Sequence, residues 1–65
     1  MNMHALPSEV QDFIHDHAVR VIASPARFAA YEAAKRALLR FLDRGNYDRF
    51  THALALRALA DESKL

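Results

Sequence analysis

Three chain-breaking residues constrain the fold of this sequence most: its single glycine, Gly45, and its two prolines, Pro7 and Pro25. Proline cannot extend a helix backwards, and glycine is the residue that most readily takes the left-handed conformation in which helices end. Between these residues, apolar side chains recur at the i, i+3, i+4 and i+7 spacing of a helix with one buried face. The sequence therefore predicts an all-α domain of three helices that spans residues 1–65.

The first two helices are predicted over about residues 8–23 and 25–44. Ser8 and Gln11 have the S-x-x-Q spacing of a capping box, which indicates a helix start. Ser24 before Pro25 is typical of a cap followed by the first helical position. The apolar stripe of helix 1 contains Val10, Phe13, Ile14, His17, Ala18, Val21 and Ile22. The broader stripe of helix 2 contains Phe28, Ala30, Tyr31, Ala34, Leu38, Leu39, Phe41 and Leu42.

The third helix is predicted over about residues 47–60, with Asn46 as its N-cap and a fraying polar tail over residues 61–65. Its apolar residues lie on nearly all sides, and a helix of that kind is normally buried. One stripe contains Tyr47, Phe50, Leu54 and Ala58, while Leu56, Leu59 and Ala60 point elsewhere.

The excess apolar surface of helix 3 predicts a partner for this chain. A domain of 65 residues buries only about 60% of the surface that its unfolded chain exposes, so its stability is marginal. We expect helices 2 and 3 to form an antiparallel hairpin that completes a helical bundle by pairing with a second copy or with another protein. The candidate interface residues are Leu38, Leu42, Phe50, Leu54, Leu56 and Leu59.

Composition excludes several classes of function. The chain has no cysteine, which rules out a disulfide framework, a thiolate zinc site and a cysteine nucleophile. Neither a secretory signal nor a run of roughly 18 apolar residues is present, so we expect a cytoplasmic protein that does not enter a membrane. The few hydroxyls fit no catalytic triad, and one glycine cannot build a phosphate loop. We therefore expect no enzyme activity, no cofactor and no small-molecule substrate.

The four histidines suggest a metal site only weakly. His15 and His17 are two residues apart, and such residues point to nearly opposite sides of a helix. His17 belongs to the apolar stripe of helix 1, so we expect it to be partly buried and to bond to a neighbouring carbonyl or side chain. A metal or proton-linked role is the alternative for this residue.

Arginines at every fourth position of helix 2 form a basic ridge, which we define as Arg36, Arg40 and Arg44. With Lys35 and Arg49 nearby, such a ridge is a candidate contact for the phosphates of a nucleic acid. However, Glu32–Arg36 and Arg40–Asp43 have the spacing of ion pairs on a solvated helix face. The sequence thus favours a non-catalytic protein-interaction or regulatory module, with a nucleic-acid-binding regulator as the alternative.

Overall fold

The computed structural model describes residues 5–65, and this part of the chain folds into three α-helices and contains no strand. The helices are α1 (Ser8–Ala23), α2 (Arg27–Arg44) and α3 (Arg49–Glu62). The predicted all-α, three-helix fold is confirmed. α1 packs against both α2 and α3 more extensively than these two helices pack against each other. None of the described helices is both long enough and apolar enough to cross a membrane.

All three helices contribute to one hydrophobic core. The stripes predicted for α1 and α2 supply most of it, although Ile22 and Phe28 are exposed. In the first stripe given for α3, Ala58 is buried and Tyr47 and Leu54 pack against the core, but Phe50 lies on the outside. The face of α3 that packs inward is the one that carries Leu59. The core residues, each at most 5% exposed, are Leu6, Val10, Ile14, Ala18, Val21, Ala34, Leu38, Leu42, Ala55, Ala58 and Leu59.

α1 begins at Ser8 as predicted, but the capping box does not form. Pro7 occupies the N-cap position, and its carbonyl accepts hydrogen bonds from the amides of Val10 and Gln11, both at 3.0 Å. The Gln11 side chain donates to the carbonyl of Leu6 at 2.7 Å. Ser8 is therefore the first helical residue rather than the cap.

α2 begins at Arg27, two residues later than predicted. The backbone of Ser24 is extended (φ −82°, ψ 136°), as is usual for a residue that precedes a proline. The Ser24 hydroxyl accepts a hydrogen bond from the amide of Ala26 at 3.1 Å. Ser24 and Pro25 therefore build a turn between the two helices instead of the first turn of α2.

The turn between α2 and α3 differs from the prediction at Gly45 and at Asn46. Gly45 is not left-handed (φ −84°); Asn46 is (φ 55°). The amide of Tyr47 donates to the carbonyl of Leu42 at 3.2 Å, the bond of a Schellman ending. Gly45 is still needed, because a Cβ there would collide with the ring of Tyr47.

Asp48, rather than Asn46, is the N-cap of α3. Its carboxylate accepts a hydrogen bond from the amide of Thr51 at 2.8 Å, so the helix begins at Arg49 instead of residue 47. Asn46 cannot serve as the cap because it is used for the left-handed turn.

The end of the chain packs against the start of α2 rather than fraying. α3 continues to Glu62, and Ser63 is fully buried. The Arg27 guanidinium donates to the carbonyls of Ser63 (2.7 Å) and Lys64 (3.1 Å). A cation at this place also interacts favourably with the dipole of α3. The prediction of a frayed tail over residues 61–65 is therefore wrong.

Candidate interaction surfaces

The structure divides the predicted interface residues into two groups. Leu38, Leu42 and Leu59 are 0% exposed and belong to the core, so a partner does not reach them unless the bundle opens. The remaining three residues are accessible: Phe50 is 69% exposed, and Leu54 and Leu56 are half-buried. The accessible members of the predicted set therefore all lie on α3.

Phe50 points away from the core because it lies on the side of α3 opposite Leu59. At 3.6 residues per turn, positions i, i+4, i+7 and i+11 share one face of a helix. We define the outer face of α3 as the residues at these positions: Phe50, Leu54, Arg57 and Asp61. This face is apolar in its first half and charged in its second half.

The basic ridge on α2 is exposed and lacks the ion pairs expected from the sequence. Glu32 pairs with Lys35 (3.5 Å) instead of Arg36, and Asp43 pairs with His52 (3.2 Å) instead of Arg40. Within residues 5–65, no carboxylate lies within 4.0 Å of a guanidinium nitrogen of the ridge. The ridge therefore forms no direct ion pair within this part of the chain.

Lys35 and Arg49, predicted to extend the ridge, lie in different surroundings. Lys35 is half-buried and pairs with Glu32, and its ammonium lies 5.7 Å from the centre of the Tyr31 ring. Arg49 is exposed in the first turn of α3 and lines a groove between α2 and α3 together with Asp43 and His52. Lys35 thus has a carboxylate partner, whereas Arg49 adds charge on a different helix.

His52 links the end of α2 to the start of α3. Its Nδ1 lies 2.7 Å from the backbone carbonyl oxygen of Asp48, and its Nε2 lies 3.2 Å from a carboxylate oxygen of Asp43. Both partners are acceptors, so only the imidazolium donates to both at once. The Asp48 carbonyl and, to a lesser extent, the Asp43 carboxylate raise the pKa of His52 above its ordinary value.

A second polar contact connects α1 to the α2–α3 turn, and no sequence pattern predicted it. The Tyr47 hydroxyl donates to the Glu9 carboxylate at 2.5 Å. This bond lowers the pKa of Glu9 and raises the pKa of Tyr47, because it stabilises the ionised carboxylate and the protonated phenol. The two residues are 38 positions apart, so spacing along one helix does not reveal the pair.

His17 lies at the edge of a groove between α1 and α2. The groove has a volume of about 330 Å³. As predicted, His17 bonds to a neighbouring carbonyl, that of Phe13 at 3.0 Å, and its ring stacks on the Phe13 ring at 4.0 Å. Because a carbonyl only accepts, the Nδ1 of His17 carries the hydrogen. The residues that line the groove are His17, Arg20, Val21, Ala30, Ala33, Ala34 and Ala37.

The α1–α2 groove is not among the sequence predictions, although its pattern is visible in the sequence. Alanines at positions 30, 33, 34 and 37 follow the i, i+3, i+4, i+7 spacing, which by itself is typical of a core stripe. Small side chains on that face leave room between the helices.

The remaining polar clusters are small. Within residues 5–65, no three side chains of the types that bind metal ions come together. His15 lies 3.4 Å from Glu62 on the surface, and His4 lies outside the described residues. The chain matches no protein-family model, and neither a curated protein nor a solved structure is significantly similar to it.

Proposed function

We propose that this chain is a small non-catalytic protein-interaction module that acts as a homo-oligomer or as a subunit of a larger complex. The observation that carries the proposal is the position of Phe50, which is 69% exposed on the outer face of α3 while the core is completed by other residues. A large aromatic side chain on the surface is a typical anchor of a protein interface. Leu54 continues the apolar surface one turn further along.

A second copy of the chain is the partner that best fits the outer face of α3. Around a two-fold axis, two α3 helices pair in an antiparallel manner, and the same surface is used twice. The apolar first half of one face then lies against the charged second half of the other. With the axis near Leu54, each Phe50 meets Arg57 of the other copy, where the arginine stem and guanidinium pack well on an aromatic ring.

Solution mass tests this proposal directly. We expect light scattering to give about twice the monomer mass of 7.4 kDa for the unmodified protein. Phe50→Ser should shift the protein to monomer, because it removes the anchor on both sides of the axis. Phe28→Ser is the matched control: Phe28 is 72% exposed but lies at the start of α2, so its loss should leave the mass unchanged.

One result would count against the homo-oligomer, and another would count against its interface on α3. A protein that stays monomeric over the whole micromolar range would exclude it and leave only the subunit of a heteromeric complex. A dimer that survives Phe50→Ser but is lost in Phe28→Ser would place the interface on α2 instead of α3.

Nucleic-acid binding is the second candidate function, and one specific observation favours it. The arginines of the basic ridge are exposed and have no carboxylate partner among residues 5–65. Exposed cations at successive turns of a helix suit a phosphate backbone, since each contact releases a counterion. A dimer that pairs through α3 would carry two such ridges.

Salt-dependent binding to duplex DNA and RNA tests this candidate. We expect that replacing Arg36, Arg40 and Arg44 together with glutamine would weaken binding and reduce the dependence on salt by about three units of slope, one for each lost phosphate contact. Lys35→Gln is the control, because that lysine is already paired with Glu32. Absence of binding at low salt would eliminate this function.

A further inference from the structure

The α1–α2 groove has an apolar floor and positively charged surroundings. Ala30, Ala33, Ala34 and Ala37 supply the α2 wall, and Val21 supplies part of the α1 wall. The charged residue that lines the groove is Arg20, and no carboxylate is among the residues of this lining. Within the described residues, every α2 side chain that lines the groove is an alanine.

The basic ridge runs beside this groove. Arg36 follows Ala33 by three residues, and Arg40 follows Ala37 by the same interval, so each arginine is a neighbour of an alanine of the wall. Arg20 stands on the opposite rim, on α1. Unpaired positive charge therefore flanks the apolar floor from both helices.

We propose that this groove binds an acidic amphipathic helix of a partner protein. Alanines on the floor allow the backbone of a third helix to approach closely, and a helix in a groove between two helices is a common mode of peptide recognition. Carboxylates on the two flanks of the bound helix pair with Arg20 on one rim and with Arg36 and Arg40 on the other. This inference rests on the proposed role in protein binding, but it uses a surface distinct from the outer face of α3.

The chemistry of the groove favours a helix over a nucleic acid. A single strand of nucleic acid would use aromatic side chains for base stacking, and none lines the groove apart from the imidazole of His17. That ring is already stacked on Phe13. A duplex would contact the arginines and leave the alanine floor empty, whereas an amphipathic helix uses both features.

A set of synthetic peptides tests the proposal by fluorescence anisotropy and by amide shifts of the 15N-labelled protein. The probe is an amphipathic helical peptide with alanine and leucine on one face and glutamate on both flanks. Its control carries glutamine in place of every glutamate. We expect the acidic peptide to bind at least about tenfold more tightly than its control, and the largest amide shifts to fall on α1 and α2 around Ala33 and Ala37.

Variants of the protein show whether the peptide occupies the groove. Ala37→Leu fills the groove and should abolish binding while helicity, measured by circular dichroism, stays constant. Arg40→Glu should weaken binding, and Asp16→Asn, which removes a negative charge one turn from Arg20, should leave it equal or tighter. Phe50→Ser should leave the peptide affinity unchanged, so a failure of the α3 interface and a failure of the groove are distinguishable.

Several outcomes would overturn the proposal. These are absence of binding by the acidic peptide, equal affinity for the acidic and glutamine peptides, or amide shifts centred on Phe50. Tighter binding of a DNA oligonucleotide at the same amides would assign the groove and ridge to a nucleic acid instead.

Discussion

α1 and α3 differ in which apolar side chains this chain covers by itself. α1 buries Val10, Ile14, Ala18 and Val21 on one face, and acidic side chains occupy much of the other. α3 buries Leu59 and two alanines on its inner face and still presents a phenylalanine on its outer face. α1 also exposes Val19 (51%) and Ile22 (41%), but its phenylalanine, Phe13, is half-buried, whereas the phenylalanine of α3 is 69% exposed. The fold thus depends most on α1, and the proposed function depends on α3.

The strongest test of this difference compares a core residue of α1 with the exposed phenylalanine of α3. Ile14 is 0% exposed, so Ile14→Ala should lower the free energy of unfolding by about 2–5 kcal/mol. Phe50→Ala should change the stability of the monomer by less than about 0.5 kcal/mol, because the side chain is on the surface. Urea denaturation at low protein concentration, where self-association is absent, measures both. Equal losses would show that Phe50 packs within its own chain.

The same contrast explains how far the sequence predicts this structure. The bounds of α1 are correct because Pro7 and the Ser24–Pro25 pair mark its two ends. Polar residues on one side of α1 also define its buried face. α3 offers apolar residues in all directions, so periodicity alone does not identify Leu59 as buried and Phe50 as exposed. The predicted start of α3 is also wrong, since Asn46 and Asp48 are both suitable caps and only the left-handed backbone of Asn46 decides between them.

The candidate surfaces are harder to predict than the helices. Spacing along one helix predicts Glu32–Arg36 and Arg40–Asp43 pairs, but it does not detect a competing partner on another element. Asp43 has such a partner in His52, nine residues away, and Glu32 selects Lys35 on its own helix. The unpaired state of Arg40 therefore depends on the tertiary structure, whereas that of Arg36 reflects a competing lysine on the same helix.

The starts of α1 and α3 give a second comparison, with a smaller expected effect on stability. Asp48→Ala removes the acceptor for the Thr51 amide, and it should cost about 1 kcal/mol in unfolding free energy. Ser8→Ala should cost much less, because Ser8 is the first helical residue of α1 and its side chain is not the cap. Thermal unfolding of the two variants decides the point. A larger loss for Ser8→Ala would restore the capping box that the sequence suggests.

The smallest expected effects concern the pH dependence of stability. The contact on α1 is lost at acidic pH, and the contact on α3 is lost as the pH rises. The Tyr47 hydroxyl lowers the pKa of Glu9 on α1 below 4.5, so the stability from this bond is present above pH 4.5 and is lost as the pH falls through the lowered value. On α3, the Asp48 carbonyl and the Asp43 carboxylate raise the pKa of His52 above 6.5. Its contribution is complete below pH 6.5 and is lost as the pH rises through the raised value.

Titration of each group by NMR separates the two effects. In Tyr47→Phe, the pKa of Glu9 should return toward 4.5, while the pKa of His52 stays unchanged. The part of the stability that this pair loses at acidic pH should then disappear. In Asp43→Asn, the pKa of His52 should fall only part of the way toward 6.5, because the Asp48 carbonyl is the larger cause of its shift. A complete return to 6.5 would instead make the carboxylate of Asp43 the dominant partner. That result would mean that the ion pair between α2 and α3, which is sensitive to salt, outweighs the hydrogen bond that His52 makes to the N-cap of its own helix.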